Sequence, residues 1–507
     1  MNAAQLTLDN LDQYGEYIST WFEDRQYTNV EQYATACRLA EVLRAHGMQA
    51  GDHVVVMMLN SPDVAAAFMA IWKIGAVMIP ITPMWNAREA RYVLEDSRAK
   101  AAITSPELAA RLVEASAGLP EFRAVLVMGA TELTEARNIE PEVRAAAPYL
   151  PLLDRHADDL AMLLYTSGTT GNPKGVMLTH ENLIFVADAC YRNSMSLGQV
   201  RGMQVLPLSH VYGVLMMNLG ARLGSSGRIL KHFDAGKVLA TIQELRVQRL
   251  SLVPTMLTLL INHPDRERYD VSSLEAVGSG GAPLSEATRQ EFERLFACRV
   301  VQGYGLSESS GALTGYHPED LYRVGSVGPA LPGVEICVMD TANQILPPGA
   351  VGEICSRGKH VMNGYLNKPD ATREAVIDGW LHTGDIGHLD ADGYIYITDR
   401  KKDLVIKGGE NISPREIEEG IYSHPAIAEA AVFGVPDDVY GETLVATVVL
   451  RVGQALTAED LTTHLSQYVT KFKLPTQIEF LEALPKNPSG KILKRVLREE
   501  FIAKRSA

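Results

Sequence analysis

One short stretch constrains this chain more than any other: Tyr165–Val176, which reads YTSGTTGNPKGV. Eight of its twelve residues are Gly, Ser, Thr or Lys. The run before it, LAMLL from Leu160 to Leu164, is apolar and has the length of a buried strand. The segment after it, THENLIFVADACYRN from Thr179, carries a Thr cap with a nearby Glu, which signals a helix start. A loop of small residues between strand and helix can bring backbone N–H groups and hydroxyls against a phosphate chain, and Lys174 adds positive charge. The loop is not of the Walker type, because no Gly-Lys-Ser/Thr follows a Gly after a four-residue gap. That points away from γ-phosphoryl transfer.

The segment closely resembles the phosphate-binding loop of adenylate-forming enzymes, the superfamily of acyl-CoA synthetases, firefly luciferase and peptide-synthetase adenylation domains. Other motifs of that superfamily follow in its order. Gly280–Leu284 (GGAPL) and Gln302–Glu308 (QGYGLSE) resemble the two segments of the adenine pocket. Thr383-Gly384-Asp385 resembles the ribose-binding turn, and Asp399–Glu418 (DRKKDLVIKGGENISPREIE) the hinge and the loop after it. Pro485–Arg495 (PKNPSGKILKR) resembles the carboxy-terminal catalytic-lysine loop. The likeness therefore spans residues 165 to 495.

Composition agrees with a large globular protein. At 507 residues the chain exceeds one compact core, so two or more domains are expected. Lys and Arg number 47 against 61 Asp and Glu, a net charge of −14. Such an acidic balance disfavours nonspecific nucleic-acid binding. The five cysteines (Cys37, Cys190, Cys298, Cys337, Cys355) are scattered without a CxxC, which suits a reducing cytoplasm and gives no structural zinc motif. The amino-terminal MNAAQLTLDNLDQYGEY lacks the basic and apolar regions of a secretory signal. Val64–Ile81 is the most membrane-like run, but Lys73 and Gly75 interrupt it and Pro80 and Pro83 close it. It reads as a core helix running into a buried strand, so no integral membrane association is expected.

Alternating strand-like and helix-like segments argue for layered α/β sheets, as in HVVVMML ending at Leu59, AVLVMG near residue 125 and SEATRQEFERLF over residues 285–296. From about Val324, short strands alternate with Gly/Pro turns, as in a small β-barrel or meander. After Arg400-Lys401-Lys402 a compact segment has its own strands (AEAAVFGVP, TLVATVVLR) and helices. The fold class is thus α/β. The resemblance implies a large amino-terminal domain of layered α/β subdomains with a small β-barrel over 1–398. A hinge at 399–402 and a small mobile α+β domain over 403–507 would follow.

Joining a carboxylate to AMP brings two anions together, so the site needs cations, a metal and positioning rather than a strong base. Carried onto this sequence, the resemblance makes Thr166, Ser167, Gly168, Thr169, Thr170 and Lys174 the holders of the β- and γ-phosphates. Glu308 becomes the Mg2+ ligand, since magnesium favours one or two carboxylates plus phosphate oxygens. Ser307 stands where the family usually has Thr and keeps the hydroxyl. Tyr304 would stack on adenine, with Gly281 and Gln302 lining that pocket. Asp385 would accept the ribose hydroxyls, and Arg400 would contact the ribose or α-phosphate. Lys491 fits the position that bridges the attacking carboxylate and the α-phosphate, whereas Lys494, Arg495 and Arg498 are expected at solvent. Lys402 is assigned to the pivot, and Gly408-Gly409 would line the tunnel for the pantetheine arm of CoA, where only Gly admits so close a backbone.

The carboxylate region centres on Leu206–Gly213 (LPLSHVYG), in which His210 matches the position that closes the acyl channel and senses nucleotide. Ser209 replaces the aromatic residue usual there. No Asp lies between Leu206 and Gly220 to pair with an ammonium, which disfavours amino acids. The expected wall is apolar or small: Val214, Leu215, Met216, Met217, Met256, Ser310, Gly311 and Ala312. The resulting expectation is an ATP-, Mg2+- and CoA-dependent ligase. It would convert a monocarboxylic acid with an apolar tail to acyl-CoA through acyl-AMP, with a medium- or long-chain fatty acid favoured. An aryl-acid CoA ligase of the benzoate or 4-coumarate type and an acyl-AMP ligase loading a carrier protein are the alternatives.

Overall fold

The computed structural model describes residues 1–166, 173–194, 199–486 and 490–506. Its largest sheet has seven strands in the order Ala136–Asn138, Ala124–Val127, Ala101–Thr104, His53–Met57, Val77–Pro80, Leu160–Thr166, Lys174–Thr179. Neighbours pair in parallel except the last two, which are antiparallel with Thr166 opposite Lys174. The strands are apolar on both faces because both are covered: Val54 and Val56 enter one core, Val55 and Met57 the other. The sequence assigns Tyr165–Val176 to a loop and starts the helix at a Thr179 cap. The structure inserts the strand Lys174–Thr179 first, because Val176 and Leu178 alternate into the core, and the helix starts at His180.

The membrane-like run resolves into the helix Pro62–Lys73 and the strand Val77–Pro80. Lys73 is only 1% exposed, yet its Nζ donates to Tyr33 Oη at 3.1 Å and lies 4.6 Å from that ring. A buried ammonium satisfied by a neighbouring helix belongs to a protein core. Among the described residues, no helix is long and apolar enough to cross a membrane.

A second parallel sheet, Arg249–Leu252, Ala276–Ser279 and Arg299–Gln302, packs under the helices Ala235–Leu245, Pro254–Ile261 and Glu286–Phe296. Ser285 caps the last of these, accepting from the Thr288 amide at 3.2 Å, a contact worth about 1 kcal/mol. The carboxyl ends Ser279 and Gln302 open into the GGAPL and GYGLSE loops, where open α/β sheets place their ligands. The Gly/Pro-rich region forms an antiparallel sheet in the order Ser326–Pro329, Tyr394–Arg400, Trp380–Leu389, Gly352–Arg357, Glu335–Met339. Its register sets Asp385 opposite Arg400.

Beyond Arg400 a smaller α+β unit has strands Val405–Lys407, Glu410–Ile412, Ile427–Asp437, Gly441–Leu450 and Gln477–Phe480. The helices Pro414–Tyr422, Ala458–Leu465 and Lys494–Ser506 complete it, and it has its own apolar cores. Lys494 departs from the expected solvent position. Half-buried, its Nζ lies 2.7 Å from Glu418 Oε1 rather than standing free at the surface.

Candidate active site

The strand ends and the small unit enclose a cavity of about 1430 Å³. Thr166, Lys174, His210, Gly281, Gln302, Tyr304, Ser307, Glu308, Asp385, Arg400, Lys402 and Lys491 all line it, although they come from segments far apart in the chain. Ser167, Gly168, Thr169 and Thr170 lie outside the described residues.

At one end, Asp385 is only 3% exposed and accepts from Tyr304 Oη at 2.6 Å. Arg400 Nε lies 3.2 Å from its other oxygen. Burial first, and then the Asp385 charge, hold the Tyr304 phenol well above its ordinary range, so it stays a donor. Thr383 Oγ1 donates to the Ile354 carbonyl at 2.7 Å and accepts from the Asp385 amide at 3.1 Å, which fixes the turn around Gly384 (φ +71°). Glu353, which sequence reasoning did not single out, accepts from the Gly384 amide at 3.0 Å and from Lys401 Nζ at 3.2 Å. The turn is thereby tied to the segment after Arg400. An aromatic ring beside a rigid buried carboxylate suits a nucleoside.

At the phosphate end, Glu308 sits in the short turn Ser307–Ser309. Its backbone carbonyl accepts from the Met362 amide at 2.9 Å, and its Oε1 accepts from Tyr365 Oη at 2.8 Å. Tyr365 belongs to a segment clamped to the strand Lys174–Thr179 by Leu366 N→Gly175 O (2.8 Å) and Met177 N→Gly364 O (2.9 Å). Lys174 Nζ lies 4.9 Å from the Tyr365 ring. One tyrosine therefore joins the carboxylate to the end of the phosphate loop. No sequence motif announced it, since its partners lie 57 and 191 residues away. A single carboxylate oriented by a phenol, beside a lysine and the Thr166 hydroxyl, matches what magnesium takes when phosphate oxygens and water complete its shell.

Lys491 enters this cavity from the small unit. It follows Gly490 (φ +84°), where a Cβ would stand 2.7 Å from Thr255 Oγ1, so only glycine allows this approach. Burial, followed by repulsion from Arg400 and Lys402, lowers the Lys491 pKa to about 7. His210 caps the helix Val211–Leu223, and its Nδ1 accepts from the Tyr212 amide at 3.2 Å. Burial, with Lys491 adding to it, lowers the imidazole pKa to about 4, so it faces the cavity as a neutral ring.

The apolar arm runs along that helix. Tyr212, Leu215, Met216 and Leu219 share its inward face at i, i+3, i+4 and i+7, and Met217, Gly311 and Ala312 also line the cavity. Val214 departs from expectation. Helical phase turns it into the core, where it is 1% exposed. Ser310 departs too: it is 2% exposed, and its Oγ donates to the His360 carbonyl at 2.9 Å. Met256 packs against the core of the second sheet. Gly408 and Gly409 (φ +56° and +86°) form the tight turn between Val405–Lys407 and Glu410–Ile412, and in this arrangement they lie off the cavity wall.

Comparison with known proteins shows the family of the chain. The family model described as "AMP-binding enzyme" matches residues 9–366, and that described as "AMP-binding enzyme C-terminal domain" matches 416–491. A long-chain-fatty-acid–CoA ligase of Bacillus subtilis is 32% identical over 97% of this chain and 93% of its own length. A 4-coumarate–CoA ligase of Humulus lupulus is 34% identical over 93% of this chain and 88% of its own. The crystal structure of an anthranilate CoA ligase in complex with anthranoyl-AMP superposes with a TM-score of 0.95, at 26% identity over 100% of this chain and 98% of that one. The chain belongs to the AMP-binding, adenylate-forming enzymes, as an AMP-forming acid–CoA ligase that uses ATP, Mg2+ and CoA.

Proposed function

We propose that the chain activates a monocarboxylic acid with an apolar tail, a medium- or long-chain fatty acid in preference to an aryl acid. The observation that carries this reading is the arm lined by Leu215, Met216, Leu219 and Ala312, which continues from the Lys491 and Glu308 end of the cavity. Methionines adapt to flexible chains, and no carboxylate or ammonium partner lies on that helix face. The acid would enter tail first, leaving its carboxylate beside the Lys491 ammonium. A carboxylate oxygen then attacks the α-phosphorus of ATP, the bond to the pyrophosphate oxygen breaks, and acyl-AMP forms. Lys491 offsets the charge of the two anions, Lys174 and Thr166 hold the departing pyrophosphate, and Asp385 and Tyr304 hold the nucleoside. Bound at Glu308, Mg2+ supplies charge neutralisation on the phosphates. The small unit, residues 403–507, then turns about Lys402, withdraws Lys491 and brings the Gly408-Gly409 turn to the channel. The thiol of CoA attacks the acyl carbonyl, and AMP leaves.

The aryl-acid reading has one observation in its favour. The hydroxyls of Tyr212 and Ser251 lie on the cavity wall, where they could meet a ring hydroxyl; Ser251 Oγ now contacts Met216 Sδ at 3.0 Å. Pyrophosphate release over straight-chain acids of increasing length, benzoate and 4-coumarate, with and without CoA, decides between them. The fatty-acid reading expects the highest kcat/KM on a chain longer than hexanoate, with turnover stimulated by CoA. A maximum on an aryl acid would replace it. Stimulation by a phosphopantetheinylated carrier protein instead of CoA would replace the acceptor.

A further inference from the structure

The small unit touches one helix of the large unit at both ends. At the amino end of Pro254–Ile261, Gly490 packs on Val253 and Thr255. At the carboxyl end, Arg451 Nη1 donates to the capping residue Asn262 at Oδ1, 3.3 Å away. Its Nη2 donates to Glu291 Oε2 at 2.8 Å, on the adjacent helix Glu286–Phe296. The third nitrogen, Nε, donates to the Ile427 carbonyl of the small unit at 3.1 Å and holds the guanidinium in line. Arg451 and Glu291 are 24% and 30% exposed, so the pair is partly shielded. None of Arg451, Glu291 and Asn262 lines the cavity.

A pivot at Lys402 fixes where the small unit turns but not the angle at which it stops. A stop requires a second contact away from the pivot, and the polar contacts of Arg451 to Asn262 and to Glu291 on the adjacent helix supply it. We propose that Arg451, through Glu291 and Asn262, is a positioning residue for adenylation: it latches the small unit at the angle that puts Lys491 in the cavity and releases it for thioester formation. The proposal rests on the assignment of Lys491 to the first half-reaction. It predicts that the latch acts on one half-reaction and depends on charge complementarity rather than on either side chain alone.

The test uses the full chain in single-turnover assays of acyl-AMP formation and of thioester formation from supplied acyl-AMP. Glu291→Arg sets two guanidiniums face to face, and Arg451→Glu sets two carboxylates. Each should slow acyl-AMP formation about tenfold, more than a relaxed surface pair would, because the partner is left shielded and repelled. Thioester formation should stay within about twofold of the parent. The double charge swap should return acyl-AMP formation to within about threefold, and tryptic cleavage at the 400–402 hinge should rise in the single variants and fall back in the swap. Equal losses in both half-reactions, no loss, or no recovery in the swap would each overturn the latch. If a charge reversal does not fold, as judged by its melting curve, Glu291→Gln and Arg451→Gln replace it, with a loss of about threefold in the first step alone expected and its absence counting against the latch. Lys491→Ala run in parallel separates the two readings. If it impairs both steps, the Lys491 assignment fails. If it impairs only the first while the reversals do not, the latch alone fails.

Discussion

Lys491 should change its protonation when the cavity fills, and the size of that change follows from its surroundings. In the docked, anion-free site its pKa is about 7 against an ordinary 10.5, from burial first and then from Arg400 and Lys402. At pH 8 such a group carries about 0.1 proton, and at pH 6.5 about 0.75. A bound acyl-adenylate places a phosphate or its isostere beside the amine and restores the ammonium. Binding should therefore take up about 0.9 proton at pH 8 and about 0.25 at pH 6.5. Titration calorimetry of an acyl-sulfamoyl adenosine, in buffers of different ionisation enthalpy, measures this directly. His210 is held near pKa 4 and starts neutral at both pH values, so the Lys491→Ala variant shows how much of the uptake belongs to the lysine. The sign also bears on docking. The docked form binds fewer protons than the undocked one between about pH 7 and 10.5, so ligand-free docking should strengthen as pH rises through that window. Uptake below about 0.2 proton at pH 8, or uptake unchanged in Lys491→Ala, would refute the buried, depressed lysine.

Other expectations follow from the same geometry. Glu308→Gln should raise the magnesium requirement and slow adenylation by about 10²–10³-fold, read as acyl-AMP formation against magnesium concentration; normal turnover at low magnesium would remove Glu308 from the metal. Tyr365→Phe deletes a 2.8 Å bond to a charged group and should raise the magnesium concentration needed for acyl-AMP formation about tenfold while leaving thioester formation from acyl-AMP unaffected. Ala312→Leu should shift the preferred chain to shorter acids without loss on the shortest, and an unchanged length profile would place the tail elsewhere. Ala312 is the better probe than Gly311, whose φ of +106° and whose Cβ position 3.2 Å from Val211 Cγ2 would add backbone strain to lost volume. Lys402→Pro should impair the thiol step more than adenylation, because proline removes one torsion from the pivot; equal impairment would put the pivot at another residue.

What was legible in the sequence depended on contiguity. Thr166, Lys174, Tyr304, Glu308, Asp385 and Lys491 each sit inside a short run of unusual composition, and all of them reach one cavity. Their supports were hidden because they are contacts between distant segments. Tyr365 meets Glu308 across 57 residues, Glu353 holds Gly384 across 31, and Arg451 meets Glu291 across 160. The apolar arm was half legible. A run such as Val214-Leu215-Met216-Met217 names a lining, but helical phase decides which members face inward, and that phase is set by where His210 caps the helix. Ser310 was misplaced for a related reason. The turn after Glu308 puts it in the left-handed region (φ +59°) and spends its hydroxyl on His360.

The clustering of cations gives the catalytic cycle a direction. Arg400, Lys402 and Lys491 converge on one cavity with Asp385 and Glu308, and burial first, then repulsion from the first two, depresses the pKa of the third. Without anions the docked site opposes itself; with ATP and a carboxylate present the same charges become attractive. Pyrophosphate release removes the larger share of that negative charge and restores the repulsion while the acyl-AMP stays bound. In the proposed cycle the withdrawal of Lys491 would thereby be coupled to completion of the first step rather than left to chance opening. A contact such as Arg451–Glu291, outside the cavity and indifferent to its contents, can set the docked angle only because it is weak enough for that change in charge to overcome.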